Sequence, residues 1–230
     1  MTAPPSRSGD RTGLAPSRRA ALITCVTAAA LFVVLAFLVG GHWGPLERLD
    51  AHTARRLNDF IAPRSGQTHA WRLVSDIINP AALRGLLLIA ALALILRGDL
   101  RRALLCVATS IGSLVIVSAV KGVVDRPRPV VPDPVAYAPG ASFPSGHALT
   151  SAAAALCMIA LAWTTPRLRV PVVVLAALVA LAVGFSRIVL GVHFVSDVVG
   201  GWLAATALVA GLLIALPEPG PDAVRDRATG

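Results

Sequence analysis

Three short clusters of polar residues could together bind and transfer a phosphate group. They are residues 121–129 (KGVVDRPRP), 144–147 (PSGH) and 186–197 (SRIVLGVHFVSD). The cations Lys121, Arg128 and Arg187 suit a phosphate, because a planar guanidinium matches its oxygens and an ammonium adds a point charge. Ser145 and Gly146 stand at an expected helix start, where a serine caps the helix and free backbone N–H groups bind anions. The clusters therefore predict a phosphate-binding site.

Two histidines and one aspartate have the chemistry for phosphoryl transfer. His193 and Asp197 are four residues apart, so on a helix they share one face. A carboxylate bonded to one imidazole nitrogen fixes the tautomer and leaves the other nitrogen free to attack phosphorus. His147 is then available as the general acid that protonates the leaving oxygen, and the opposite protonation needs of the two histidines predict a bell-shaped pH profile.

Each of these residues has an ordinary structural explanation when it is taken alone. A histidine near a helix end is usually just hydrogen-bonded, and an arginine at a span boundary usually anchors the topology. Together they indicate function, since ionisable residues at membrane depth are costly. His147, His193 and Asp197 could also form a set of metal ligands, but the neighbouring cations would repel a divalent ion. We expect neither a metal nor another cofactor.

The clusters lie at the ends of apolar segments that must position them. Of the 230 residues, 56% are hydrophobic and 14% are charged, whereas a soluble domain carries about 25% charged residues. Crossing a bilayer takes a helix of about 20 apolar residues. Six blocks qualify, namely residues 20–41, 77–96, 103–120, 148–166, 170–186 and 198–216. We predict an all-α polytopic membrane bundle of six transmembrane helices, with the three clusters on one face. The second block is the weakest, because its uninterrupted apolar part is only 85–96.

The distribution of charge predicts the topology. Residues 1–19 and 217–230 are polar, which is typical of disordered ends, and they flank a membrane domain at 20–216. Four basic residues, Lys121, Arg126, Arg128 and Arg187, are set aside for the site. Of the others, eleven fall on one side of the membrane and six on the other. The positive-inside rule then places both termini in the cytoplasm and the clusters outside. The net charge of +9 therefore points to the lipid bilayer as partner and not to nucleic acid.

Two loops have functions that the sequence leaves open. In the long loop from His42 to Asn79, an apolar stripe predicts an interfacial amphipathic helix; its members are Leu46, Leu49, Thr53, Leu57 and Ile61. This helix could cap the bundle or shape a lateral entry for a lipid, and we favour the structural role. The Pro-rich loop 130–142 is expected to help select the substrate. Arg126 has two candidate partners, Asp125 and a second phosphate.

The three clusters resemble the signature of the type 2 phosphatidic acid phosphatase (PAP2) superfamily, which is K-x6-RP, PSGH and SR-x3-G-x-H-x3-D. The matching positions are Lys121, Arg128 and Pro129, then Pro144 to His147, then Ser186, Arg187, Gly191, His193 and Asp197. The resemblance covers roughly residues 77–216 and selects Arg128 over Arg126 for the phosphate.

The resemblance implies metal-independent hydrolysis of a lipid phosphate monoester or diphosphate at the outer face of the membrane. His193 would form a phosphohistidine supported by Asp197, and His147 would protonate the leaving group. The phosphate would be held by Lys121, Arg128, Ser145, Gly146 and Arg187. The lipid substrate would be a polyprenyl diphosphate, such as undecaprenyl diphosphate, or a phosphatidate-like lipid; phosphatidylglycerol phosphate and diacylglycerol diphosphate are further candidates.

Two other functions are compatible with the same residues. Vanadium-dependent haloperoxidases, which are oxidoreductases, share this kind of site, but the six apolar blocks argue against them. A non-catalytic lipid-phosphate binder or transporter could use the same scaffold, although His193 and Asp197 are both present here. The Ala- and Arg-rich composition suggests a bacterial protein of the inner membrane.

Overall fold

Eight α-helices make up the architecture of residues 17–163 and 165–216, the part of the chain that the computed structural model describes. They are α1 (Arg18–Gly40), α2 (Gly44–Ile61), α3 (Ser65–Ile77), α4 (Pro80–Leu96), α5 (Leu100–Val124), α6 (Gly146–Ala162), α7 (Pro166–Val189) and α8 (Val195–Ala215). No strand occurs in this part of the chain. The predicted polar tail at 217–230 and residues 1–16 of the predicted N-terminal segment lie outside the described residues. Of the remaining residues of that segment, Ser17 caps α1, and Arg18 and Arg19 form its start.

Local capping signals decide where several helices begin. Asn79 caps α4 by accepting a hydrogen bond from the N–H of Ala82 at 2.9 Å, and Pro80 takes the first helical position, where proline is favoured. Asp99 caps α5 in the same way through the N–H of Arg102. Asn79 and Pro80, which come before the uninterrupted apolar part of the second predicted span, are therefore the start signal of α4.

Five segments are long and apolar enough to cross a membrane, and a shorter apolar helix accompanies them. The five are α1, the stretch Ser65–Leu96, α5, α7 and α8. The helix at the fourth predicted span is α6, which has 17 residues. The predicted boundary at Pro166 was wrong, because Pro166 opens α7. The prediction of an all-α membrane bundle is confirmed.

The helix α6 occupies the centre of the bundle. It packs against α4, α5, α7 and α8, and its residues from Ala148 to Ala155 are all buried. Small side chains let the helices approach closely: a Cβ on Gly201 of α8 would lie 2.9 Å from the carbonyl oxygen of Ser145. This contact places the start of α8 beside the start of α6.

The loop from His42 to Asn79 contains two helices, of which the sequence predicted one. The apolar stripe marks α2, whereas α3 was not predicted. The face of α2 that is buried carries Asp50, Ala54, Asn58 and Ile61, so only Ile61 belongs to the predicted stripe. Leu57 packs partly buried against the start of α6 and α8, while Leu49 is 58% exposed. The loop thus turns a partly polar face toward the bundle.

Candidate active site

His193 lies between a carboxylate and a guanidinium. It is in the connection from α7 to α8, where Gly191 adopts a φ of +70°, a conformation that glycine adopts without steric cost. The Nδ1 atom of His193 is 3.3 Å from Oδ2 of Asp197, and its Nε2 atom is 3.1 Å from Nη1 of Arg128. The ring is 2% exposed and Asp197 is fully buried.

These contacts determine the tautomer of His193. A guanidinium can only donate hydrogen bonds and a carboxylate can only accept them. Nδ1 therefore carries the proton that is directed at Asp197, and Nε2 presents its lone pair toward Arg128. Burial lowers the pKa of His193 to about 4, although the hydrogen bond and charge of Asp197 act in the opposite direction. A neutral imidazole with Nε2 unprotonated is a competent nucleophile.

Backbone carbonyls hold Lys121 and Arg128, the two cations of the first cluster that were predicted to bind phosphate. Lys121 donates from Nζ to the carbonyl of Ala141 at 2.7 Å. Arg128 donates to the carbonyls of Pro139, Gly140 and Ala141 and to that of Val192, at distances from 2.7 to 3.2 Å. The loop that precedes α6 therefore supports both cations beside His193.

Arg187, near the end of α7, is the third cation and is 7% exposed. Its Nη1 donates to the hydroxyl of Ser75 on α3. Its Nε is buried and has no hydrogen-bond partner among the described residues. The guanidinium is thus anchored on one side and retains a donor that suits an anionic oxygen.

The PSGH cluster forms the start of α6. Ser145 is the N-cap residue, and its side chain accepts from the N–H of Ala148. The N–H of Ser145 donates to the backbone carbonyl of Asp197 at 3.0 Å, which joins this cluster to α8. His147 is half-buried and lies within electrostatic reach of His193 and of three cations, namely Arg187, Lys121 and Arg128. The fold thus brings all three clusters together.

An additional ion-pair network, which the sequence did not predict, lies behind Asp197. Arg126 donates from Nη1 to Oδ1 of Asp197 at 2.7 Å and to the Ser196 hydroxyl at 2.7 Å. Its Nη2 donates to Oδ2 of Asp50 on α2 at 2.8 Å. Asp125, which the sequence offered as a partner, is exposed and ends α5 in a left-handed conformation. Arg126 instead connects two buried carboxylates.

The loop at 130–142 is tied to the two helices of the His42–Asn79 segment. The side-chain amide of Asn58 donates to the carbonyl of Asp133 at 2.7 Å and accepts from its N–H at 3.3 Å. Arg72 of α3 donates to the carbonyl of Val135. Both α2 and α3 therefore contact the loop whose last residues hold Lys121 and Arg128.

An apolar cavity of about 400 Å³ opens among α2, α3 and α7. One of its lining residues, Trp71, lies one turn of α3 before Ser75, which accepts a hydrogen bond from Arg187. The complete lining is Leu57, Phe60, Ile61, Gln67, Ala70, Trp71, Phe185 and Val189. Its composition suits a hydrocarbon chain.

Comparison with known proteins gives a matching family, a curated relative and a solved structure of similar fold. The sequence model described as PAP2 superfamily matches residues 102–219. Phosphatidylglycerophosphatase B of Bacillus subtilis (strain 168) is 35% identical over 83 residues, which are 34% of this chain and 40% of that protein. The chain thus matches less than half the length of that curated relative. The crystal structure of the first transmembrane PAP2 type phosphatidylglycerolphosphate phosphatase from Bacillus subtilis has a TM-score of 0.70 at 22% identity, covering 90% of this chain and 98% of that chain. That likeness shows a shared fold.

Proposed function

Since this chain belongs to the PAP2 superfamily, we propose that it is a membrane phosphatase that hydrolyses a lipid phosphate monoester or diphosphate. The observation that carries the proposal is the spatial arrangement of three side chains, in which the imidazole of His193 lies between Asp197 and Arg128. The carboxylate faces Nδ1 of the imidazole at 3.3 Å, and a phosphate-binding guanidinium faces Nε2 at 3.1 Å. When a phosphate displaces this hydrogen bond, Arg128 donates to the phosphate oxygens instead and the lone pair of Nε2 is free to attack the phosphorus.

The reaction proceeds in two steps that share one intermediate. Nε2 of His193 attacks phosphorus and forms an N–P bond while the bond to the leaving oxygen breaks, and His147 gives that oxygen a proton. Water then attacks the phosphohistidine, His147 takes a proton from the water, and the N–P bond breaks to release inorganic phosphate. Asp197 stabilises the positive imidazole ring in both steps.

The phosphate is held by charge and not by a metal ion. Lys121, Arg128 and Arg187 neutralise the oxygens on which negative charge is spread in the transition state. Ser145 and the N–H of Gly146 add donors at the start of α6. Three cations in one place disfavour a divalent ion, so we propose a metal-independent reaction.

The lipid tail leaves the site between α2, α3 and α7. The apolar cavity of about 400 Å³ that these three helices line supports this route, which makes α2 and α3 part of a lateral entry from the bilayer. The substrate is a polyprenyl diphosphate or a phosphatidate-like lipid. The names of the two Bacillus subtilis relatives make phosphatidylglycerol phosphate a member of the set to be tested.

The proposed location is the bacterial inner membrane, with both termini in the cytoplasm and the site facing outward. Arginines concentrate at the helix ends opposite the site, in the segments that begin α1, α5 and α7. The positive-inside rule assigns such an end to the cytoplasm.

Phosphate release from a panel of lipid phosphates tests the proposal. The purified full chain in detergent with EDTA should release phosphate from at least one lipid, and labelled substrate should leave an acid-labile phosphate on His193. The variant His193→Ala should lose both signals, whereas His52→Ala, a change at an exposed position of α2, should keep them.

Each contrary result overturns a defined part of the proposal. Release that survives His193→Ala excludes this nucleophile, and activity lost in EDTA excludes the metal-independent mechanism. Lipid phosphates that bind without any hydrolysis would favour a non-catalytic binder.

A further inference from the structure

The third cation of the candidate site is held by a residue that belongs to none of the three clusters. Arg187, near the end of α7, donates from Nη1 to the hydroxyl of Ser75 on α3, which is 112 positions away in the sequence. Ser75 also lies outside residues 102–219, which match the PAP2 model. Ser75 is 1% exposed and Arg187 is 7% exposed, so the protein and not bulk water supplies their partners.

The packing of α3 on its neighbours places Ser75. Trp71, one turn before Ser75 on the same face of α3, packs against Phe185 of α7 with ring centroids 5.2 Å apart and ring planes at 71°. This edge-to-face arrangement is one that aromatic pairs prefer. Near the start of α3, the hydroxyl of Thr68 donates to the carbonyl of Ile61 at the end of α2, at 3.2 Å. Contacts with both α2 and α7 therefore hold the helix that carries Ser75.

Arg187 lies beside His193 and has a donor available for a ligand. Its backbone carbonyl accepts from the N–H of His193 at 3.2 Å. Its Nε is buried and makes no hydrogen bond within the part of the chain that the structure describes. A buried donor without a partner is costly, and an anionic oxygen is a strong acceptor for it. Because the guanidinium is planar and rigid, holding Nη1 in place restricts the directions in which Nε can donate.

The group that anchors Arg187 is electrically neutral. A hydroxyl holds the guanidinium without cancelling its charge, whereas Arg126 in the same site is paired with the carboxylates of Asp50 and Asp197. The contact with Ser75 therefore fixes Arg187 and leaves its positive charge for an anionic ligand. Fixed donors with their charge intact are what the stabilisation of a phosphoryl group requires.

We propose that Ser75 is a positioning residue for phosphate binding, which acts by fixing Arg187 before the substrate arrives. The long side chain is then already ordered, so the free energy of ordering it is not lost when phosphate binds. Ser75 acts through Arg187 and not by contact with the substrate. The identity of the anion rests on the proposed function, and the inference adds α3 to the elements that determine how strongly the phosphate group is held.

Binding of inorganic phosphate by the purified full chain in detergent tests this role, because binding requires no turnover. In phosphorus NMR titrations, Ser75→Ala should bind phosphate about tenfold more weakly, the lower end of the usual effect of losing an outer partner of a site. Ser75→Thr keeps the hydroxyl and should restore the affinity. Thr68→Val also removes a buried hydroxyl from α3, but one that contacts α2, so this control should bind phosphate as the unchanged chain does.

Kinetics on p-nitrophenyl phosphate shows whether Ser75 acts through Arg187. Ser75→Ala alone should raise KM for this ester. When Arg187→Ala is already present, adding Ser75→Ala should cause no further loss of kcat/KM, because the group that Ser75 positions is gone. An equal loss from Ser75→Ala in both backgrounds would overturn the proposal.

The outcomes separate the role of Ser75 from the proposed function. Phosphate affinity that is equal in Ser75→Ala and the unchanged chain, or that falls equally in Thr68→Val, would overturn the positioning role and leave the proposed reaction intact. If the unchanged chain hydrolyses no lipid phosphate, the proposed function fails, and the phosphate titrations still decide for or against Ser75. An unchanged chain that binds no phosphate would overturn both. A dissociation constant does not depend on how much of a variant folds, so a loss of stability alone produces none of the expected results.

Discussion

Arg126 donates a hydrogen bond of 2.7 Å to Asp197, and both side chains are buried. The same carboxylate faces His193 through its other oxygen, so Arg126 helps to set the position of the group that orients this proposed nucleophile. On its far side Arg126 is held by Asp50. A residue of α2, in a segment that the sequence marked only as amphipathic, is therefore coupled to His193, the proposed nucleophile, through two ion pairs and the contact with Asp197.

Asp50→Asn should lower kcat about 10- to 100-fold, the usual effect of losing an outer partner of a site, with little change in KM. The amide retains the shape but not the charge, so Arg126 is left with one carboxylate and the position of Asp197 relaxes. Steady-state kinetics with a lipid substrate measures the effect. Glu47→Gln, on the same helix but exposed and paired with His42, is the control. An unchanged kcat in Asp50→Asn, or an equal loss in Glu47→Gln, would contradict the positioning role.

His147→Ala should lose far more activity on a natural lipid than on p-nitrophenyl phosphate. A general acid contributes about 10²- to 10⁴-fold, but only where the leaving oxygen needs a proton. Nitrophenolate leaves without one, so the variant should keep most of its rate on that ester. His69→Ala, a change at an exposed position of α3, should match the unchanged chain on both substrates. Equal losses on both would assign His147 to phosphate binding.

The acid limb of the pH profile should lie near pH 4 and not near the ordinary histidine value of about 6.5. Burial lowers the pKa of His193 to about 4, so Nε2 keeps its lone pair at every pH above that value. As the pH falls through 4, protonation blocks the attack and kcat/KM should drop tenfold per unit. The measurement is kcat/KM from pH 3 to 8, corrected for substrate ionisation and for recovery of activity after return to neutral pH. An enzyme-dependent acid limb near 6.5 would refute the assignment of His193 as a buried nucleophile.

The helices and the grouping of the three clusters were predictable because they depend on short-range properties. Long apolar blocks specify membrane helices, and their order brings segments 121–129, 144–147 and 186–197 to one end of the bundle. The start of α7 at Pro166 could also have been predicted from the sequence, since proline favours the first turn of a helix. The end of α6 could therefore have been placed correctly.

The contact between Asp50 and Arg126 could not be predicted in this way. It joins residues that are 76 positions apart and depends on which face of α2 docks on the bundle. The stripe with Leu49 and the stripe with Asp50 and Asn58 have the same helical period, so periodicity alone does not choose between them. The buried face turned out to be the more polar one, because its groups are paired with Arg126, Ser196 and the backbone of Asp133.

Ala70→Trp should raise KM for a lipid substrate about tenfold, which corresponds to roughly 1.4 kcal/mol of lost binding, and should leave kcat unchanged. Ala70 is an exposed residue of α3 that lines the apolar cavity among α2, α3 and α7, so an indole there would occupy the space proposed for the lipid tail. Kinetics on p-nitrophenyl phosphate should not change, because that ester has no tail. His69→Trp places the same bulk on the neighbouring residue outside the cavity and should behave as the unchanged chain. A raised KM for both substrates would instead indicate damage to the phosphate site, and an unchanged lipid KM would place the tail elsewhere.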